Sequence, residues 1–252
     1  MNESLGIWLV REESQALATA LQNRLKGKIF HPELDSALTQ PERFATAYRS
    51  HTHWVILAAT GITVRFLDGL MQNKKTDPAV VVLDEAGRYA TSLIGGHEAG
   101  ANQLAYRVAN AIGATPVIST ATESLKPLVL GVGCRKNVSV ECIEAAVYHA
   151  LEELSLNQVR ELATIDLKAE EPGLIKFCEQ YHLPLRILNA ETIAARPWVT
   201  QPSNWVRQNI GLDGVCEPCA LIACGRGKLI VPKTALDGVA VAIVKDIGWR
   251  RE

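Results

Sequence analysis

Strand-length apolar runs alternate with helix-patterned segments along most of this chain, and that alternation constrains its fold more than any other feature. Leu5–Val10, Trp54–Ala59, Ala79–Leu83, Leu128–Gly131, Val159–Ile165 and Leu185–Leu188 are short apolar strand candidates. Between them, Ser14–Leu25 places Leu17, Leu21 and Leu25 on one helical face. Ser139–Leu154 does the same with Ile143, Val147 and Leu151. Gly27 reads as the C-cap of the first helix, residues 31–53 as polar and irregular, and Thr60-Gly61 as the start of a helix through Met71. Glu85–Arg88 reads as a hairpin turn returning into Tyr89–Leu93, and Pro116–Ile118 as a last short strand of the first half. Leu229–Val231 and Val239–Val244 look like a closing antiparallel pair. The expected fold class is α/β, with two α/β domains whose largely parallel sheets are each flanked by helices. A polar run ending in Pro127 sets the expected boundary, giving residues 1–124 and 125–252.

Several function classes are disfavoured by composition. The formal net charge of -1 supplies no global field for nucleic acid or an anionic membrane. No apolar run approaches the roughly 18 residues of a membrane span. The early polar residues Asn2, Glu3, Arg11, Glu12 and Glu13 leave no signal-peptide core. A soluble, cytoplasmic chain is therefore expected, with its six cysteines as reduced thiols. Cys216-Glu-Pro-Cys219 has redox or metal spacing, but no second pair matches it, so small residues packed at a helix start are the expectation.

In an open α/β sheet, ligands bind at loops beyond the carboxyl ends of strands. Thr60-Gly61 would let a ligand approach a helix start, or would simply make a tight turn. Gly95-Gly96-His97-Glu98-Ala99-Gly100-Ala101-Asn102 is expected to put His97 and Glu98 in the first turn of a helix, with Asn102 one turn beyond Glu98. A helix start lowers a histidine's pKa, which suits a neutral general base; the plainer reading is a capped turn. In Gly131-Val132-Gly133-Cys134-Arg135-Lys136, glycines permit close approach, and Arg135 and Lys136 add positive charge for a carboxylate or phosphate. Cys134 could be a nucleophile there, though an inert thiol is the simpler reading. Glu217 would cap the last helix or face a ligand as an acid or base. Lys233, after Pro232, is placed in the turn between the final strands. Walker and dinucleotide patterns are missing, which argues against a nucleotide- or phosphate-binding protein.

These segments, in this order, resemble the CbiG family, the cobalt-precorrin-5A hydrolases of anaerobic cobalamin biosynthesis. The likeness is carried by Ala58–Arg65, Lys75–Val82, Asp84-Glu85, Ser92 through Asn102, and Pro116–Thr122. It continues with Gly131–Arg135, then Asp166, Lys168, Glu171 and Gly173, then Gly211–Ala220, Lys233 and Val239–Ala242. The chain departs from the family pattern in three ways. The middle domain is expected to be absent, since Thr122 is followed almost directly by the C-terminal half. The first ~45 residues match only loosely. Cys216 and Cys219 stand where small residues are usual.

The resemblance implies a cobalt tetrapyrrole substrate whose δ-lactone is opened by water and whose two-carbon fragment leaves as acetaldehyde. The cobalt belongs to the substrate, so no separate cofactor or metal site is implied. On this reading His97 is the general base, with Glu98 or Glu217 orienting it or moving protons, and N–H groups near Gly61 or Gly96 hold the oxyanion. Arg65, Arg135, Lys136 and Lys233 hold carboxylate arms, with Thr60, Gly61, Gly95, Gly96, Asn102, Gly133 and Cys134 lining the substrate. A cationic crevice shared by both halves is expected. The C-terminal half also resembles CobE-type proteins, so a non-catalytic corrinoid carrier is the alternative. Homodimer formation and contacts with other enzymes of the pathway are left open.

Overall fold

A computed structural model describes residues 4–32 and 37–248. The chain forms two compact units, Met1–Thr120 and Ala121–Glu252. The expected boundary at 124/125 thus falls after a short helix, Ala121–Ser124, that counts with the second unit. Among the described residues no helix is long and apolar enough to cross a membrane.

The first unit runs β1 (Leu5–Leu9), α1 (Gln15–Leu25), β2 (Lys28–Phe30), α2 (Gln40–Ala47), β3 (His53–Leu57), α3 (Thr60–Phe66), β4 (Ala79–Leu83), β5 (Tyr89–Ile94), α4 (Ala101–Ile112) and β6 (Thr115–Val117). Its six strands lie in the order β2-β1-β3-β4-β5-β6, parallel except for the antiparallel β4–β5 hairpin. Strands β1, β3 and β4 are covered on both faces, which is why they read as unbroken apolar runs rather than as alternating ones. Ile7, Leu9, Val55, Leu57, Val81 and Leu83 pack on one face with residues of α1 and α4. Trp8, Trp54, Ile56 and Val80 pack on the other with Phe44, Tyr48 and Phe66.

Three local expectations are corrected here. The first helix ends with Lys26, not Gly27, in the left-handed conformation (φ 63°). The stretch expected to be irregular contains α2, whose start is marked in the sequence by Thr39 and Glu42. The Glu42 carboxylate accepts the Thr39 backbone N–H at 2.8 Å, and proline stands in the first turn. The helix opened by Thr60 stops at Phe66 rather than Met71.

The second unit runs α5 (Ala121–Ser124), β7 (Leu128–Cys134), α6 (Val140–Leu151), β8 (Val159–Ile165), α7 (Pro172–Gln180), β9 (Leu185–Leu188), α8 (Ala190–Ala194), α9 (Asn204–Ile210), α10 (Cys216–Ala223), β10 (Gly227–Leu236) and β11 (Val239–Asp246). The strand order is β10-β11-β7-β8-β9; β7, β8 and β9 are parallel, and β11 is antiparallel to both its neighbours. Ile143 and Val147 of α6 and Leu174 and Phe177 of α7 pack on one sheet face, and Cys219 and Ala220 of α10 on the other. Both sheets are therefore mixed but mainly parallel and helix-flanked, as the alternating pattern implied.

Gly133 and Cys134 continue β7 beyond the expected strand Leu128–Gly131, because they pair with Ala240 and Val239. Lys233 likewise lies inside β10, not in the closing turn. Pairing of Val231 with Ile243 and of Thr234 with Val241 leaves one extra residue on β10, so Pro232 and Lys233 sit in a bulge.

Candidate functional site

Strand direction separates the two glycine motifs of the first unit. Thr60-Gly61 follows β3, at the carboxyl edge of the parallel strands. Because β5 runs backwards, the segment after Ile94 returns to the amino edge, where Ile94 pairs with Val80. A Cβ placed on Gly100 would lie 3.4 Å from His53 Nε2, at the first residue of β3. The span of β3, roughly 13 Å for its five residues, therefore lies between the motifs. N–H groups near Gly61 and a base at His97 do not share one edge.

The Gly95–Asn102 segment is a locked turn ahead of a helix. Contrary to expectation, α4 begins only at Ala101, because Gly100 takes a left-handed conformation (φ 85°) that interrupts the helical path. His97 and Glu98 therefore stand in the turn, exposed, and not in the first turn of the helix as expected. Gly95 (φ 73°) accepts the N–H groups of Ala99 and Ala101 at 3.0 and 3.1 Å, and Gly96 accepts that of Asn102 at 2.9 Å. Asn102 is buried. Its Oδ1 accepts from Ser92 Oγ at 2.8 Å and its Nδ2 donates to Thr120 Oγ1 at 2.9 Å. The side chain thus ties β5 to the loop after β6. Ser92 and Thr120 are partners that sequence spacing did not identify.

Glu98 pairs with Lys74 at 3.1 Å. Its own backbone N–H and the Lys74 ammonium hold the carboxyl below the usual carboxylate range. Both side chains are well exposed, so the pair positions Glu98 more than it stabilises the fold. Lys74 belongs to a loop closed by buried Asp77, which accepts the N–H groups of Gln72 and Asn73 and pairs with Arg49. Arg65 is exposed in the last turn of α3.

In the second unit, the glycines of β7 serve close packing. A Cβ on Gly131 would fall 1.8 Å from the Cys216 carbonyl oxygen, and one on Gly133 3.3 Å from Val215 Cβ. The start of α10 therefore lies directly on this strand. Cys134 is half-buried; burial pushes its thiol up to about 11, with Lys168 opposing the shift and Glu171 adding to it. That thiol is protonated at neutral pH and is a poor nucleophile. Arg135 and Lys136 are exposed beyond the strand end, with the Arg135 N–H donating to Gly238 O at 2.9 Å. Near Cys134, Lys168 and Glu171 form a mostly buried pair at 3.1 Å. Burial also pushes Cys216 up to about 12 and raises Cys219, and both thiols are packed inside, as the small-residue reading of this pair expects.

Glu217 is buried in the first turn of α10, and its carboxylate is filled by donors. It accepts the Thr200 N–H at 2.8 Å, the Thr200 hydroxyl at 2.5 Å and the Lys233 N–H at 3.0 Å. The bulge in β10 turns the Lys233 N–H out of the ladder and toward this carboxylate. Glu217 thereby clasps the loop before α9 to β10. Glu217→Ala, which would strand these donors, is expected to lower the unfolding free energy by about 3 kcal/mol, read from a shifted urea midpoint at unchanged slope. A midpoint equal to wild type would show the clasp to be energetically idle.

Two family models cover most of the chain. The cobalamin synthesis G N-terminal model matches residues 42–123, and the cobalamin synthesis G C-terminus model matches 128–244. The chain belongs to the cobalamin synthesis G (CbiG) family. Its role accordingly lies in cobalamin synthesis. A cobalt-precorrin-5A hydrolase of Salmonella typhimurium is 23% identical over 291 residues, covering 78% of this chain and 83% of that one. A protein of the same name from Priestia megaterium is 23% identical, covering 78% and 79%. Protein CobE of Sinorhizobium sp is 29% identical over 118 residues, covering 46% of this chain and 77% of its own. Only residues 124–127 separate the two matched regions of this CbiG chain, which leaves no room there for a middle domain.

Proposed function

We propose that this CbiG-family chain is a cobalt-precorrin-5A hydrolase that opens the substrate's δ-lactone and releases acetaldehyde. The observation that carries this reading is coverage. The hydrolase relatives match across both units, whereas the CobE likeness covers 46% of the chain and leaves its other half without a counterpart. A carrier of the CobE type would not need the locked Gly95–Asn102 turn.

In the proposed reaction, His97 takes a proton from water as the water adds to the lactone carbonyl. The backbone N–H groups of the turn around Gly96 face the developing oxyanion. Collapse of the tetrahedral intermediate breaks the acyl C–O bond, leaving a carboxylate and a free alcohol. Deprotonation of that alcohol gives an alkoxide. As its oxygen forms the C=O of acetaldehyde, the C–C bond to the macrocycle breaks and that bond's electron pair passes to the conjugated ring. Glu98, held by Lys74, lies next in sequence to His97 as its proton partner. Within the first unit Arg65 offers a cation for a carboxylate arm, and within the second unit Arg135, Lys136 and Lys233 offer cations for the same kind of group. Glu217 acts as an anchor, because its carboxylate is already filled by three donors.

Anoxic incubation of the purified protein with cobalt-precorrin-5A is expected to yield cobalt-precorrin-5B by mass, with one acetaldehyde released per ring opened. Binding of the substrate with neither product formed would assign the chain to the carrier role instead.

A further inference from the structure

The Glu217 clasp holds one conspicuous thing in place: the exposed indole of Trp198. Trp198 is 52% exposed, whereas Trp8 and Trp54 are buried in the first unit. Its surroundings are rigid. The Trp198 N–H donates to Arg196 O at 2.9 Å across Pro197, whose ring fixes the turn. Val199 packs on Gly214, and Thr200 places both of its donors on the buried Glu217 carboxylate. Lys233, in the β10 bulge, donates its N–H to the same Glu217 oxygen as the Thr200 hydroxyl. The Arg196 guanidinium lies 5.8 Å from the Trp198 ring centroid. A single exposed apolar side chain is ordinary on a protein surface. A cation-backed indole on a loop braced by a buried carboxylate is a different arrangement, because its rigidity has been arranged around an exposed ring. Flat aromatic surface beside a cation is complementary to a planar, conjugated polyanion, and stacking on such a ring tolerates variation at the ligand's edge.

We propose that Trp198 is the stacking surface for the face of a cobalt corrinoid, with Arg196 as the neighbouring cation for a carboxylate arm. This rests on the corrinoid-substrate reading above and adds to it a residue that no sequence motif singled out.

The test measures the Kd for dicyanocobyrinic acid, a cobalt corrin with free carboxylate arms, by calorimetry, and the KM for cobalt-precorrin-5A. Trp198→Ala is expected to raise both about tenfold or more. Trp198→Phe, which keeps an aromatic face, should stay within about threefold of wild type. Trp205→Ala, an exposed tryptophan on α9 outside the clasp, should leave both values within about twofold. Since Trp198 is exposed, the thermal midpoint of Trp198→Ala should match wild type. Unchanged Kd and KM in Trp198→Ala, or equal losses in Trp205→Ala, would overturn the stacking role while leaving the proposed reaction standing. So would a wild-type dimer that Trp198→Ala dissociates in sedimentation, since the indole would then face a second copy. A wild-type protein that neither binds the probe nor turns over substrate would remove both readings together.

Discussion

Gly131→Ala is expected to lower the unfolding free energy by about 3 kcal/mol, the upper end of what overpacking costs. The added methyl would sit 1.8 Å from the Cys216 carbonyl oxygen and 2.9 Å from Ala220 Cβ. Neither side can yield easily. Gly131 lies in β7, which is hydrogen-bonded to β11 on one side and β8 on the other. The obstructing atom is backbone at the start of α10, the helix that carries the Glu217 clasp. Relief requires α10 to lift from the sheet, which would also loosen the Thr200 and Lys233 contacts. Gly61→Ala is the informative comparison. No heavy atom lies within 4 Å of a Cβ placed there, and the site is in the first turn of α3. It should be neutral or slightly stabilising, within about 1 kcal/mol. Urea denaturation of the two variants separates them; equal stabilities would contradict the packing described for β7.

His97→Ala is expected to lower kcat for cobalt-precorrin-5A by about a hundredfold to ten-thousandfold, the usual contribution of a positioned general base. His97 is exposed and the backbone of its turn is held by Gly95, Gly96 and Asn102, so the fold should not change. The thermal midpoint should therefore equal that of wild type, and KM should move much less than kcat. His97→Gln, which keeps polarity without a comparable base, should be as impaired as the alanine variant. Full turnover in either variant, with acetaldehyde released, would remove His97 from the chemistry and shift the search to other residues of the same turn.

Much of the fold was readable along the chain because its signals are local. Ala79–Leu83 and Val159–Ile165 coincide with β4 and β8, since a strand covered on both faces has to be apolar throughout. Ser139, where the Ser139–Leu154 pattern begins, caps α6 and accepts the Cys142 N–H at 3.3 Å. The α2 helix was missed although Thr39, Pro41 and Glu42 announce it; its short apolar face gave too weak a period to stand out. The site was less legible. His97 was singled out for its residue type and its glycine neighbours, yet its placement in a helical turn was wrong because one left-handed glycine, Gly100, delays the helix. Glu217 looked like a capping or catalytic acid. Its donors come from Thr200 and Lys233, 17 and 16 residues away along the chain, where no spacing rule applies.

Residue order alone determined the α/β class, the division into two units, the strand candidates and the family, because each depends on periodicity or on motifs read along the chain. Only the tertiary structure decided that Thr60-Gly61 and Gly95-Gly96 lie at opposite ends of β3, that the β7 glycines admit a helix rather than a ligand, and that a buried carboxylate braces the Trp198 loop. The physical reason is that strand direction and close approach are properties of paired backbones. A one-residue bulge or a reversed strand redirects side chains without leaving a mark on local composition.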